Sequence, residues 1–306
     1  MNAVGHTPTE SLHTTTDGNC RDRIAHACVC CGSAALNRSP AVLMPFVAHR
    51  ALGWAPVLID ESWGLKTIPS GNAYTVCNSL CCSECGFLFL DIRFSDRELG
   101  SLYNGYREEE YTALREHYEP GYRQRNALLN TGIAYLDAIE EFLTPWLTFP
   151  LNVLDWGGDT GKNTPFRSAA RHFRIYDISN KPVVAGAERI DKAAALAGSH
   201  DLIVSSNVLE HVSYPADVIL EMRAAMGTST VLYIEVPFEE IVRTSSGPGD
   251  LHRRKRHWHE HVNFFNETAL RRLLAGCGLE ILALNTLNAS CVADASHVFQ
   301  IAARKI

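Results

Sequence analysis

The chain has 306 residues, 46% hydrophobic and 20% charged, with a formal net charge of −6. These proportions are those of an ordinary globular protein, and the length allows two domains or one large one with an ample core. The acidic balance argues against a dedicated nucleic-acid binder, whose domain is normally basic, and no apolar run approaches the length of a membrane span.

The first segment, 1–26, is polar and Thr-rich and lacks the charged-then-apolar pattern of an export signal. It is expected to be a flexible tail on a cytoplasmic protein. Ten cysteines follow an uneven distribution, eight of them before residue 86. Cys28-Val-Cys-Cys31-Gly and Cys82-Ser-Glu-Cys85-Gly are two Cys-x-x-Cys knuckles, each followed by a glycine that permits a sharp turn. Four thiolates suit a closed, structural Zn2+ site with bonds of about 2.3 Å. Without an export signal, zinc is favoured over disulfides; buried free cysteines or redox chemistry are the alternative. Cys30 and Cys81 break the spacing and Cys77 lies outside it, so the ligand set is Cys28, Cys31, Cys82 and Cys85. Residues 27–94 are read as a zinc-binding module.

Residues 95–148 read as a helical connector. Asp96 to Tyr103 places Leu99, Leu102 and Tyr103 on one face, and Gly105 to Tyr118 is rich in tyrosine and charge. Arg123 to Leu143 is a longer amphipathic stretch, with Leu128, Ile133, Leu136 and Ile139 apolar, stopped by Pro145. Tyr103, Tyr106, Glu110, Tyr111 and Tyr118 are candidates for covering a substrate, though a solvated helical face is the expectation for most of them.

Residues 149–306 carry the most informative segment, Leu151-Asn-Val-Leu-Asp-Trp-Gly-Gly-Asp-Thr-Gly161. Its apolar run reads as a buried parallel strand ending at Asp155, with a helix expected over Pro165–Ala170. A glycine-rich turn there lets a ligand lie against bare backbone at the carboxyl end of a strand. A dinucleotide fingerprint needs glycines at i, i+2 and i+5, but those positions hold Gly157, Asp159 and Lys162. A P-loop fails too, because Gly161-Lys162 is followed by Asn163. Phe173 to Asp177 is a second strand ending in an acid, placed where a carboxylate meets ribose hydroxyls; alternatively Asp177 only caps a turn. Asp201 to Val212 contains a third strand.

The segment 155–161 resembles motif I, Asp-x-Gly-x-Gly-x-Gly, of the class I S-adenosylmethionine-dependent methyltransferases. Asp155, Gly157 and Gly161 match, and Asp159 replaces the middle glycine, which either narrows the cofactor pocket or places a carboxylate near the cofactor's positive charges. Asp201-Leu-Ile-Val-Ser-Ser-Asn-Val-Leu-Glu-His-Val212 resembles the family's fourth strand and Val231 to Pro237 its fifth. His259-Glu-His-Val-Asn-Phe-Phe265 and the helix after it also resemble a segment of small-molecule members. The resemblance covers about half the chain. It implies an α/β, Rossmann-like seven-stranded methyltransferase sheet whose last strand is antiparallel, and Leu279–Leu287 with His297–Ala303 supply two closing strands. It further implies S-adenosylmethionine at Asp155, Gly157, Gly158, Asp159, Gly161, Asp177, Ser206 and Asn207.

Zinc knuckles ahead of such a domain resemble sugar, capsule and antibiotic-pathway methyltransferases. The sugar C-methyltransferases among them add a C-terminal domain, which this chain is expected to lack. Transfer to a hydroxyl or an enolisable carbon needs a base, and His211, His259 and His261 are the candidates. Glu210 either orients a neighbour or completes a helix start. His252-Arg-Arg-Lys-Arg-His257 is a basic run in an acidic chain. Usually such a run is a solvated loop; here it leads into the candidate histidines, so an anchor for the anion of a phosphate-bearing acceptor, drawn from Arg253, Arg254 and Arg256, is expected. The leading function is methyl transfer to a small polar acceptor: a sugar, nucleotide-sugar or glycan intermediate. The alternatives are an RNA-binding or RNA-modifying protein using the zinc module, and a noncatalytic scaffold that binds the cofactor. Nothing in the sequence fixes the oligomeric state.

Overall fold

A computed structural model describes residues 22–64, 69–179, 181–247, 249–289 and 296–306. Most of the expected N-terminal tail lies outside them, but its end is held: Ile24 bridges Ile92, and the Tyr214 hydroxyl donates to the Asp22 carbonyl at 2.6 Å. The chain then forms β1 (Leu36–Leu43), α1 (Pro45–Leu52), the hairpin β2 (Val57–Ile59) and β3 (Gly71–Ala73), β4 (Val76–Cys82) and β5 (Leu88–Leu90). β1 runs antiparallel to β4, with Leu36 opposite Cys82, and β4 antiparallel to β5.

The connector holds α2 (Asp96–Tyr103), α3 (Glu109–Tyr118), α4 (Tyr122–Leu129) and α5 (Leu136–Leu143). α2 starts on a capping box in which Ser95 and Glu98 satisfy each other's backbone N–H groups. The single stretch expected from Arg123 to Leu143 is instead two helices. Thr131 and Gly132, both poor helix formers, fall in the break.

Next come β6 (Leu151–Trp156), β7 (Ala170–Tyr176), β8 (Glu188–Arg189), α6 (Lys192–Ala197), β9 (Leu202–Ser206), α7 (Pro215–Ala224) and β10 (Val231–Pro237). The short helices α8 (Glu240–Arg243) and α9 (Leu251–Arg254) lead to β11 (His257–Trp258) and β12 (Asn263–Phe264). α10 (Glu267–Gly276), β13 (Leu279–Asn288) and β14 (His297–Lys305) close the chain. The large sheet has the order β13-β14-β10-β9-β6-β7-β8, with β14 antiparallel to both its neighbours and the central strands parallel. This is the seven-stranded α/β sheet that the resemblance to class I methyltransferases implies.

The helix expected over Pro165–Ala170 does not form. Residues 157–169 cross from β6 to β7 as turns, and Ala170 already opens β7. A parallel crossover needs a dozen or more residues, so this one is near the minimum and leaves no length for a helix. Phe166 adopts a left-handed φ of 58°, which breaks any helical run there.

The five-stranded sheet, ordered β11-β1-β4-β5-β12, takes its two outer strands from residues 257–264. Val42 pairs in parallel with His257 at one edge, and Phe89 pairs with Asn263 at the other. The segment carrying His259, Glu260 and His261 therefore spans the sheet from edge to edge. Arg93, 1% exposed, fixes it by donating to the Ser213 carbonyl at 2.8 Å and to Asn263 Oδ1 at 3.0 Å. One hydrophobic core contains Cys28, Cys82, Phe87 and Phe89 from the first sheet together with Trp156, Ile234 and Leu270 from the methyltransferase-like half.

Candidate active site

The carboxyl ends of β6, β7, β9 and β10 meet at one rim. Asp177, just past β7, accepts the Asp159 N–H at 2.9 Å and the Ser179 N–H at 2.6 Å. That double acceptance joins the glycine-rich loop to the end of the neighbouring strand. Gly161 packs so closely that a Cβ there would lie 2.3 Å from Ile175 Cδ1, and its φ of +77° suits glycine alone. Asp155 faces inward: it is 5% exposed, takes the Thr164 hydroxyl, and burial pushes its carboxyl up to about 7. Ser206 ends β9. Asn207 follows with φ 55° and donates to Glu235 Oε1 at 3.2 Å, which also accepts the Tyr135 hydroxyl at 3.0 Å. The group implied here is S-adenosylmethionine, and the donor set fits it: a carboxylate for a ribose diol, bare glycine backbone, and the Ser179 hydroxyl, buried without a partner among the described residues.

A second cluster adjoins this rim. Lys181 pairs with Asp159 at 3.1 Å and its ammonium lies 4.8 Å from the Tyr106 ring centroid. Tyr106 packs edge-on against Tyr103 at 5.6 Å, and the Tyr103 hydroxyl lies 2.7 Å from His211 Nδ1. The His211 and His261 rings meet edge-on at 4.6 Å, and His261 Nδ1 sits 2.8 Å from Glu239 Oε1. Burial and the charge of His261 hold His211 neutral, down at about 3. Burial also works against His261, but its bond to Glu239 and the charges of Glu210, Glu239 and Glu260 outweigh it and push the ring up to about 9. Glu210, 1% exposed with both oxygens lacking a hydrogen-bond partner among the described residues, is pushed by burial up to about 8.

His261 opens onto a cavity of about 310 Å³, lined also by Arg115, Glu119, Arg125, Glu239, Lys255, His259, Glu260 and Phe264. Arg115 grips both Glu260 oxygens at 2.7 Å and Glu119 at 3.0 Å, while its guanidinium lies over the Tyr122 ring at 4.3 Å. His259 reaches Glu119 at 3.5 Å on the same wall.

The four knuckle cysteines converge. Cys28 and Cys85 Sγ lie 3.6 Å apart, as do Cys31 and Cys82 Sγ. A tetrahedron with Zn–S bonds of about 2.3 Å requires sulfurs about 3.8 Å apart, so the set fits zinc. Gly32 and Gly86, one residue past the second thiol of each knuckle, have φ of +75° and +71°.

A family profile described as a methyltransferase domain matches residues 122–284. The chain belongs to the class I S-adenosylmethionine-dependent methyltransferases. Solved structures similar to this methyltransferase include the Burkholderia thailandensis 1,6-didemethyltoxoflavin-N1-methyltransferase with bound S-adenosylhomocysteine. That pair shares 17% identity over 64% of this chain and 89% of the other, with a TM-score of 0.46. A glycopeptide N-methyltransferase complexed with sinefungin shares 12% over 56% and 94%, with a TM-score of 0.43. The magnesium protoporphyrin IX methyltransferase of Synechocystis PCC 6803 shares 16% over 60% and 87%, with a TM-score of 0.40. No curated protein matches the sequence. No helix among the described residues is long and apolar enough to cross a membrane.

In this methyltransferase the structure brings His211 and His261 into contact and sets His259 on the far wall of the same cavity. Arg253, Arg254 and Arg256 are exposed, and the buried cation of that run is Lys255. The solvated face expected for most of the tyrosines is corrected: Tyr103 and Tyr106 lie between Lys181 and His211, Tyr111, 1% exposed, packs against Phe46, and the Tyr118 hydroxyl meets His49. Glu110 and its neighbours Glu108 and Glu109 do face solvent. Arg115, Glu239 and Lys255 are site residues that the sequence pattern did not single out. Only Lys255 carried a signal, as the member of the basic run flanked by arginines.

Proposed function

We propose that this methyltransferase transfers its methyl group to a small polar acceptor, of the sugar or nucleotide-sugar class, held in the cavity beside His261. The observation that supports this reading is the chain of contacts Asp177–Asp159–Lys181–Tyr106–Tyr103–His211–His261, which links the proposed cofactor rim to the cavity. A volume of about 310 Å³ lies at the low end of small-ligand sites, and carboxylates, guanidinium groups and imidazoles suit a polyhydroxylated molecule.

Bound S-adenosylmethionine supplies an electrophilic methyl carbon. Asp177, the Gly157–Gly161 backbone, Ser206 and Asn207 hold and orient it, while Asp155 and Asp159 brace the loop. His261, oriented by Glu239, takes the acceptor proton at its free ring nitrogen; His211, neutral and tied to Tyr103, packs the pair in place. Glu260 is fixed by Arg115 and shapes the wall opposite. Cys28, Cys31, Cys82 and Cys85 hold a structural Zn2+, since four thiolates leave no position for substrate.

The test is an acceptor screen read by mass gain of one methyl group, alongside calorimetry with S-adenosylhomocysteine. Asp177→Ala should weaken cofactor binding by about 1–3 kcal/mol, the scale of a lost charged hydrogen bond. Undiminished binding removes Asp177 from the site, and no methyl gain on any sugar or nucleotide sugar removes the acceptor class.

A further inference from the structure

The charges lining the cavity do not match one another. Each of the three carboxylates has a cationic partner: Glu260 with Arg115, Glu119 with Arg115 and Arg125, and Glu239 with His261. Lys255 is the cation left over. It is 9% exposed, and no side chain among the described residues accepts a hydrogen bond from its ammonium. Its nearest surroundings are aromatic, with the Phe264 and Trp258 ring centroids at 4.3 Å and 5.1 Å. Burial pushes it down to about 8, and Glu239 opposes that only through space.

An ammonium has three donors and is costly to bury without acceptors. Ring faces offset part of that cost and accept none of the protons conventionally. The backbone is not free to move the group out. The Lys255 carbonyl accepts the Ser79 hydroxyl, Ser79 Oγ in turn accepts the Trp258 indole N–H at 2.8 Å, and the Lys255 N–H bonds the Leu251 carbonyl at 3.0 Å. Tied through its carbonyl to Ser79 of β4, Lys255 therefore presents a largely buried cation to the cavity that also holds His261.

We propose that Lys255 forms an oxyanion subsite, so that the acceptor carries a phosphate or carboxylate group held by this ammonium while its nucleophile faces His261. The subsite deepens the acceptor reading above and rests on it for the word acceptor alone. It also separates the roles within the basic run: Lys255 binds, and Arg253, Arg254 and Arg256, all exposed, do not define the site.

The experiment uses the full chain saturated with S-adenosylhomocysteine, with pyrophosphate and malonate as the phosphate and carboxylate probes. One of the two should bind saturably by calorimetry. Lys255→Gln should weaken it at least tenfold, Lys255→Arg should hold it within about threefold, and Arg253→Ser/Arg254→Ser/Arg256→Ser should leave it unchanged; S-adenosylhomocysteine affinity in each variant reports that the fold is intact. A second readout needs no variant. Pyridoxal phosphate condenses its aldehyde with a lysine amine, releasing water, and added borohydride reduces the imine to a stable secondary amine. Peptide mass spectrometry should find the label at Lys255, and the bound probe should protect it. Absence of binding by both probes, or loss of binding only in the triple arginine variant, overturns the subsite. Probe binding that persists in a protein unable to methylate any anionic sugar overturns the acceptor reading and leaves the subsite standing.

Discussion

At the scale of single residues, the decisive pair is His261 and Glu239. A base must be unprotonated to accept a proton, and His261 is held up at about 9 by the carboxylates around it. Turnover limited by proton removal should therefore climb with pH through the neutral range and level off above about 9. The groups facing His261 are Glu210, Glu239 and Glu260 on the negative side and His211, Arg115 and Lys255 on the positive or neutral side. Glu239→Gln keeps the shape but removes the bonded charge, so the plateau should begin lower by about 1–2 pH units, toward the ordinary histidine value. His261→Ala should lose the limb altogether with cofactor affinity retained. A pH profile that ignores Glu239→Gln would show that another group titrates. The sequence made His261 visible because it sits in a dense His-Glu-His segment. It could not show Glu239 or Arg115, which reach the site from β10's exit and from α3, because a pairing across many residues leaves no local pattern.

At the scale of elements, the strands were legible and the crossover was not. Strands β6, β9 and β10 are buried on both faces, and such strands read as continuous apolar runs. The turn crossover at 157–169 defeated the reading because Pro165 opens helices and turns alike. Likewise β11 and β12 have two residues each, too few for any periodicity, yet they frame the histidine segment. The crossover depends on Asp155, whose carboxylate braces Thr164 instead of facing a ligand. Burial pushes the folded carboxyl up to about 7, well above the ordinary carboxylate range, so the native state favours the protonated acid. Its stabilising contribution is complete below about pH 4 and is lost as pH rises through about 7. Asp155→Asn keeps an acceptor for the Thr164 hydroxyl and removes the buried charge. Stability from urea unfolding should then match wild type at about pH 4 and exceed it at pH 8, by on the order of a few kcal/mol. A variant less stable than wild type at pH 8 would mean the carboxylate is ionised and needed.

At the scale of the molecule, the cysteine-knuckle sheet and the methyltransferase sheet are not separate bodies. Sequence composition suggested a boundary near residue 94, because all the knuckle cysteines lie before it. The first sheet nonetheless borrows β11 and β12, and Cys28, Cys82 and Cys85 share a core with Trp156, Ile234 and Leu270. The zinc proposed at the knuckles would therefore stabilise both halves, since metal ligation and folding are coupled. Calorimetric unfolding should show a single transition, and a strong chelator should move that whole transition to lower temperature, with one equivalent of zinc released. The cavity should fail before the cofactor rim as metal is withdrawn, because Lys255, Trp258 and His261 hang from strands paired to β1 and β5, whereas Gly161 lies in the crossover after β6 and Asp177 just past β7. In partly chelated protein, turnover should then fall while S-adenosylhomocysteine affinity stays within about threefold of the untreated value. Two resolved transitions, with only the smaller one sensitive to the chelator, would show that the shared core does not couple the sheets. Loss of cofactor binding in step with turnover would show that the metal supports the rim as strongly as the cavity.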